Sequence, residues 1–518
     1  MDVIFWGGLV RFCEAILAGA PTLLVGLVVA GVFRKLLGPD LTLKIFGGRG
    51  WRSLPQAWFW GMLLPVCSIG VIPVAYELRR AGLRGGAILA FALTAPLFNP
   101  LSILYGLTLS TPMVILWFAL GALLVVTSVG FLWDWLFPNS EINAGAEPTA
   151  PPGLKRLASI GLVSLRHMAG ATALYATIAL SGSIVLAVIF PFGSLTDSMA
   201  HTDRMAPLEM LVVALPAYAT PLNVMMQVGG MFVHGNSVGA AYVLLSLGTG
   251  ANLGLIAWAW FTYGFKRTLV FIVAFISVVL AIAYTLNDPL YSAGNVEHPH
   301  THAFDVYACP FPPTNNIDLP QKVWTKLSNN AQLYELIALS IIAAMFVSGM
   351  VLRFYDPKGH LEKRLSTSDS QMSTTQSSWM NVSIPGPILG VIAIMGLIAF
   401  SIVGCFIYFP APDQALRDMN DMKVATVTYY WPEDVEQTIR NIETYDDLTR
   451  RLEVGYYLRN GEVSEYQQAK VKVLRGRLEQ LKDILQSKQT DRVKDASTAI
   501  MTAHRRVVEA FKKPEGEL

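Results

Sequence analysis

Residues 64–100 read LPVCSIGVIPVAYELRRAGLRGGAILAFALTAPLFNP, and residues 215–253 read LPAYATPLNVMMQVGGMFVHGNSVGAAYVLLSLGTGANL. The second stretch repeats the outline of the first. Leu64-Pro65 answers Leu215-Pro216, Gly82 answers Gly235, Gly86-Ala87 answers Gly239-Ala240, and Asn99 answers Asn252. Each copy is a proline-broken apolar segment, then a glycine turn, then a helix carrying an asparagine. Paired broken segments of this kind, set in opposite orientations, are the plan of many secondary transporters.

Composition agrees with a membrane location. Of 518 residues, 53% are hydrophobic and only 15% charged, against about 25% charged in a soluble domain. The net charge of +2 argues neither for nor against nucleic acid, and no nucleic-acid partner is expected. Cys13, Cys67, Cys309 and Cys405 form no CxxC pair, so neither a disulfide framework nor a zinc knuckle is signalled. Asp2 stands where a secretory signal would carry Lys or Arg, so the first apolar run is expected to stay as a helix.

About 20 apolar residues span a bilayer, which places full spans near 13–33, 86–109, 112–135, 168–191, 238–262, 268–287, 333–353 and 386–409. The stretches 57–78 and 209–231 are interrupted by Pro65 and Pro73 and by Pro216 and Pro221. Proline removes a backbone donor and clashes with the preceding turn. Such irregular backbone survives at membrane depth only inside protein or beside a wet cavity. Lys and Arg accumulate on the cytoplasmic side. Arg34, Lys35, Lys44, Arg49 and Arg52 precede the first broken stretch and Arg79, Arg80 and Arg84 follow it, so both its ends face inside. Lys155, Arg156, Arg166, Lys266 and Arg267 then fall inside, and the second broken stretch enters from outside.

The expected fold is an all-α polytopic membrane protein with two inverted-topology repeats, each of three spans plus a re-entrant broken hairpin. The repeats cover 1–136 and 168–287, joined by a cytoplasmic loop at 137–167. An external loop at 288–332 and two extra spans at 333–409 follow, the spans being joined by a Ser/Thr-rich cytoplasmic linker. The tail at 410–518 is expected outside the plasma (inner) membrane as a helical bundle, packing on itself or on a protein partner. Ser464 and Gln467 have the spacing of a capping box. Leu474, Leu478, Leu481 and Leu485 recur at helical spacing, as do Val493, Ile500, Val507 and Phe511.

Polar side chains concentrate around the broken segments. The pathway candidates are Pro65, Cys67, Ser68, Gly70, Pro73, Thr94, Pro96 and Asn99 in the first copy. Pro216, Tyr218, Thr220, Pro221, Asn223, Gln227 and Asn252 are their counterparts in the second. Polar groups in hydrocarbon are costly unless paired or hydrated. They line a substrate path or satisfy carbonyls that proline has freed. Cys67, with Met225 and Met226, would suit a thiophilic species; a lone buried cysteine is also a small hydrophobe. Carboxylates near the core are few, Glu14 and Glu77 among them, and the energy source is open.

Two further patterns carry alternative chemistry. Gly235-Asn236-Ser237-Val238-Gly239 matches GxSxG, the nucleophile elbow of serine hydrolases, with His234 beside it. That elbow needs a strand before the serine and a helix after it. His298, His300 and His302, two residues apart, would share one face of an extended chain and suit a transition metal, with a solvated loop as the other reading. No cofactor motif and no ATP-binding loop occurs in the sequence.

The segment LPVCSIGVIPV, followed by AGLRGGAILAFALTAPLFNP, resembles the ArsP-like predicted permeases. Pro65, Cys67, Ser68, Gly70, Pro73, Gly82, Gly86, Ala95, Pro96, Asn99 and Pro100 match that family's first-repeat pattern. Tyr218, Thr220, Pro221, Gly235, Gly239, Ala240 and Asn252 stand at similar positions in the second, and the likeness covers about 10–287. It implies a permease, with efflux and, in some members, trivalent organoarsenicals as substrate. Ile69 stands where the family pattern has a second cysteine, which removes the pair that would hold a metalloid. The expected function is inner-membrane secondary transport of a small molecule or ion by alternating access, not enzymatic. The alternative is a non-transporting sensor or assembly subunit with a partner-binding tail.

Overall fold

The computed structural model describes residues 2–48, 50–98, 102–103, 106, 112–138, 154–196, 198–291, 304–313, 319–357, 359–361, 385–427, 435–487 and 489–512. Among these the chain is helical, with one isolated bridge between Ala200 and Asn236. It divides into two compact units, one of Met1–Gly106 with Pro112–Ala399 and one carrying Phe400–Leu518.

In the first unit α1 (Asp2–Val32) runs through a π-helical turn at Phe33–Leu37 into α2 (Gly38–Ile45). Then come α3 (Ser53–Leu63), a break over 64–70, α4 (Val71–Arg80), α5 (Gly85–Thr94) and α6 (Pro112–Leu136). The second half opens with α7 (Leu154–Met168) and α8 (Ala171–Ile189). It continues with α9 (Ala206–Ala214), a break over 215–220, α10 (Pro221–Val233) and α11 (Val238–Val243), which runs on as a π-helical turn at Leu244–Thr249. Then follow α12 (Leu253–Tyr263) and α13 (Phe265–Asn287). Pro65 and Pro216 sit in the breaks. Pro73 and Pro221 begin the arms after them, in a first helical turn where a missing N–H costs nothing.

The halves share one packing plan. Leu54 and Gly86, at the starts of α3 and α5, both pack on Gly130 of α6, while their ends meet at Gly61 and Thr94. These helices therefore run the same way, and α4 returns beside them to make a helix–break–helix hairpin. In the second half Pro207 and Gly239 meet at the starts of α9 and α11, and Ala214 lies by Gly248 at their ends. The Gly86 N–H donates to Asp134 Oδ1 at 2.8 Å and the Gly239 N–H to Asn287 Oδ1 at 3.1 Å, with 48 residues between partners in both. At the end of α6, Trp133 packs on Phe271, and Arg267 near the start of α13 lies 5.3 Å over the Phe137 ring. Thus α6 and α13 run antiparallel.

Among the described residues six helices are long and apolar enough to cross a membrane, or seven if the bent pair of α11 with its π turn and α12 counts as one span. Two expected spans are not continuous. The one at 86–109 stops at Thr94, before a turn at 95–97, and the one at 238–262 bends by 55° across 250–252. Segments read as loops also hold helices: the amphipathic α7 occupies the second half of 137–167 and ends one residue past it, and α14 (Leu319–Asn330) lies within 288–332, packed on α1. The extra spans are α15 (Leu333–Tyr355) and α16 (Gly386–Tyr408). The first of them packs on α1 and α7, with Gly349 against the Leu165 carbonyl.

In the second unit, α17 (Pro412–Val427), α18 (Val435–Asn460), α19 (Glu465–Gln486) and α20 (Val493–Phe511) enclose their own core. Both periodic stripes, Leu474 to Leu485 and Val493 to Phe511, lie in it. The capping box forms, with the Gln467 N–H on Ser464 Oγ at 3.3 Å and the Ser464 N–H on Gln467 Oε1 at 3.0 Å. Asp446 accepts from Arg475 at 2.7 Å and Arg450 at 2.9 Å, and these cations pull its carboxyl down to about 2 against the cost of burial. Burial pushes the Glu453 carboxyl up to about 8 and the His504 imidazole down to about 4.

Glu453 is thus protonated in the folded bundle at pH values where an unfolded chain would ionise it. The stabilisation is complete below the ordinary glutamate range and lost as pH rises through about 8. That of His504 is complete above its usual value of 6.5 and lost as pH falls through about 4. Raising pH from 6 to 9 should therefore cost the bundle about 2 kcal/mol, at roughly 1.4 kcal/mol per pKa unit. Amide hydrogen exchange of α19 in the full chain, corrected for intrinsic rate, measures it. Glu453→Gln should flatten the response.

Candidate functional site

The two hairpins meet at their breaks. Asn252, between the π turn and α12, donates through Nδ2 to Ser68 Oγ at 2.6 Å, and both side chains are fully buried. Its Oδ1 accepts the Leu255 N–H at 2.9 Å, capping α12. One amide thereby holds a helix start in the second half and a bent segment in the first. Beside it Cys67 is fully buried, its sulfur accepting the Gly70 N–H at 3.3 Å.

Two long helices press on these breaks through glycine. A methyl group on Gly26 of α1 would lie 2.1 Å from the Gly70 carbonyl oxygen, and one on Gly182 of α8 would lie 1.8 Å from that of Pro216. Only a hydrogen fits, so backbone contacts backbone and the bends are held from outside. Small residues permit such approach where no hydrophobic force draws helices together.

A cavity of about 70 Å³ opens next to the second break. Tyr218, Thr220, Asn223 and Gln227 line it from the break and α10, Ser183 from α8, and Arg11 and Glu14 from α1. The Tyr218 hydroxyl stands beside Thr22 and Cys67 without an aligned hydrogen bond, on a side chain 6% exposed. Thr220 Oγ1 accepts the Asn223 N–H at 3.4 Å, so its oxygen also caps α10.

Over this cavity lies the segment 304–313. The Tyr307 hydroxyl donates to Gln227 Oε1 at 2.5 Å. Arg11 Nε donates to the Ala308 carbonyl at 3.0 Å, another guanidinium nitrogen to the Asp305 carbonyl, and Nη1 to Glu14 at 2.8 Å. The Cys309 N–H reaches the Phe190 carbonyl at 2.9 Å. The single positive charge of the cavity wall is thereby neutralised by Glu14 and saturated by carbonyls. What remains for a solute is uncharged: hydroxyls and amides.

Of the residues anticipated from sequence, Ser68 meets Asn252, Cys67 neighbours Tyr218, and Tyr218, Thr220, Asn223 and Gln227 share the cavity wall. Thr94 instead donates to the Ala90 carbonyl of its own helix at 2.8 Å, and Cys67 is absent from the cavity wall. Asn99, His298, His300 and His302 lie outside the described residues, among which no metal-binding cluster occurs. Ser237 of the GxSxG match caps α11, accepting the Ala240 N–H at 3.0 Å and donating to Asn287 Oδ1 at 2.7 Å, with no strand before it. Arg11, Ser183 and Tyr307 were not foreseen; a lone arginine in an apolar first helix was the available signal.

Broken helices that meet inside a multi-pass apolar bundle, beside a polar cavity, define a membrane protein of the permease class. The chain belongs to the ArsP_1 family, described as predicted permeases, whose model matches residues 6–287. It is also similar to UPF0718 protein YcgR of Bacillus subtilis (strain 168), 24% identical over 140 residues. That match covers 26% of this chain and 47% of the relative, about half its length. No solved structure matches the chain.

Proposed function

We propose that the protein is a secondary permease of the plasma membrane, built from two inverted repeats and exporting a small solute by alternating access. The observation that carries the reading is the Asn252–Ser68 bond, which joins the break of the first half to the 250–252 bend of the second at one buried point. Inversion is supported by antiparallel α6 and α13, each receiving its own half's hairpin through the same 48-residue joint. The basic residues Arg79, Arg80, Arg84 and Arg267 gather at the end where α6 finishes and α13 begins, which is the cytoplasmic end by the positive-inside rule. The tail then lies outside. A cavity wall whose one cation is already paired with Glu14 favours a neutral polar solute. A metalloid held by soft ligands receives no support from that wall, which contains no sulfur.

Topology is the direct test. A reporter cysteine at Ser464 should react with an impermeant maleimide in intact cells, and one at Ser370 only after lysis. Labelling of Ser370 but not Ser464 in intact cells would overturn the orientation. Resistance and uptake across metals, metalloids and organoarsenicals, in a strain lacking its own exporters, identifies the solute class.

A further inference from the structure

The segment 304–313 is fastened to one side of the cavity and joined by a hydrogen bond to the other. Arg11 of α1 donates to its carbonyls at Asp305 and Ala308, and the Cys309 N–H reaches the Phe190 carbonyl at the end of α8. Cys309 and Phe311 pack with Val10 of α1. In turn α1 packs on α8, with Gly8 against Ile184. The segment, α1 and α8 thus form one wall. Across the cavity stands α10, which packs on α11 and the π-helical turn after it. The hydroxyl of Tyr307, a residue 5% exposed, reaches over to Gln227 Oε1 of α10 at 2.5 Å.

We propose that the Tyr307–Gln227 bond is the external latch of the cavity, which opens to the outside when α10 parts from Tyr307 while the segment stays on α1. The inference rests on the permease reading above and assigns its outer gate. Hinges are a few loop or element-terminal residues that absorb a change in backbone angles. Such residues bound α10 on both sides: the break over 215–220 precedes it, and Gly235 follows it with a φ of 69°, in the left-handed region. The break is itself pressed on α8 at Gly182, so the arm turns about a fixed point.

The chemistry suits a contact that is made and broken repeatedly. Phenol and amide are both neutral, so their parting strands no charge, and water entering from the outer face replaces the lost bond on each side at little net cost. The Arg11 bonds are of another kind. One guanidinium engages Glu14 and two carbonyls together, and charge-assisted hydrogen bonds are the stronger ones, which keeps the segment with α1. The Asn252–Ser68 bond is unlike the latch as well, since both side chains are fully buried and no water takes over when it breaks.

The test reads the latch without needing the solute. Ser183→Cys places a reporter thiol on the cavity wall of the full-length protein, and Ala18→Cys serves from the same wall should that variant not fold. Right-side-out vesicles are treated with 2-(trimethylammonium)ethyl methanethiosulfonate, which does not cross membranes, and modification is followed by mass spectrometry on the peptide carrying the reporter. Tyr307→Phe keeps the ring and removes the donor, so the rate should rise about fivefold, the effect of losing one hydrogen bond. Gln227→Met removes the acceptor at similar volume and should do the same. The double variant should react no faster than either single one, because both changes break one interaction. Pinning the segment should not slow the reporter. A β-carbon at Gly7 would lie 3.7 Å from that of Cys309, within disulfide range, so oxidised Gly7→Cys ties the segment to α1. No rise in Tyr307→Phe or in Gln227→Met, additive rises in the double variant, or a slower reporter in oxidised Gly7→Cys overturns the proposal. If the rates behave as expected while vesicles show no flux of any solute tried, the permease reading fails and the latch stands. If flux is found and Tyr307→Phe leaves the rate unchanged, only the latch fails.

Discussion

Asn252→Ala abolishes transport while leaving most of the protein folded in the membrane; that is the largest functional effect expected of any single side-chain change here. The amide holds Ser68 at 2.6 Å and the Leu255 N–H at 2.9 Å, in a place where neither finds water. Each partner left unsatisfied costs about 1–3 kcal/mol. That cost falls on the position of two bends relative to each other, not on the spans that anchor the chain. A tenfold or greater loss of resistance, with membrane-inserted protein near normal by immunoblot and gel filtration, is the expected result. Parallel loss of protein and resistance would mean that the asparagine serves only to complete the fold. Ser68→Ala removes one of the two bonds and keeps the α12 cap, so its loss should be smaller.

The largest effect on folding is expected at Gly182. A β-carbon there would stand 1.8 Å from the Pro216 carbonyl oxygen, well inside any permitted contact, and the obstacle is backbone on both sides. No rotamer change relieves it. Gly182→Val should separate α8 from the second break and yield aggregated protein on gel filtration in detergent. Gly161→Ala is the control, since nothing lies within 4 Å of a methyl group there. Monodisperse Gly182→Val with normal thermal stability would show that the helices are not in backbone contact.

What was legible in the sequence is what proline writes locally. Pro65 and Pro216 each remove a donor, and the structure puts both in breaks. The interruption at 250–252 was not legible, because Gly250, Ala251 and Asn252 contain no residue that forbids a helix. That bend is held by a side chain capping α12 and bonding to a residue 184 positions away. Hydropathy reads through it as one apolar run. The π-helical turns at 33–37 and 244–249 escape for a similar reason, since their extra residue changes hydrogen bonding and not composition.

The cavity was half legible. Tyr218, Thr220, Asn223 and Gln227 follow one another through a break and the helix after it, where polar residues in an apolar segment stand out. Arg11 did not reveal its task, for its carbonyl partners at Asp305 and Ala308 are 294 and 297 residues away. Nor did Tyr307, which belongs to a stretch that reads as an ordinary loop.

The two 48-residue joints are alike in place but unlike in kind. Asp134 offers the Gly86 N–H a charged oxygen, while Asn287 offers Gly239 a neutral one, and a charge-assisted hydrogen bond is roughly twice as strong. The first joint is thus charge-assisted, while the second is neutral and shares its Asn287 oxygen with the Ser237 hydroxyl. In the proposed transport cycle the two hairpins are therefore tethered unequally.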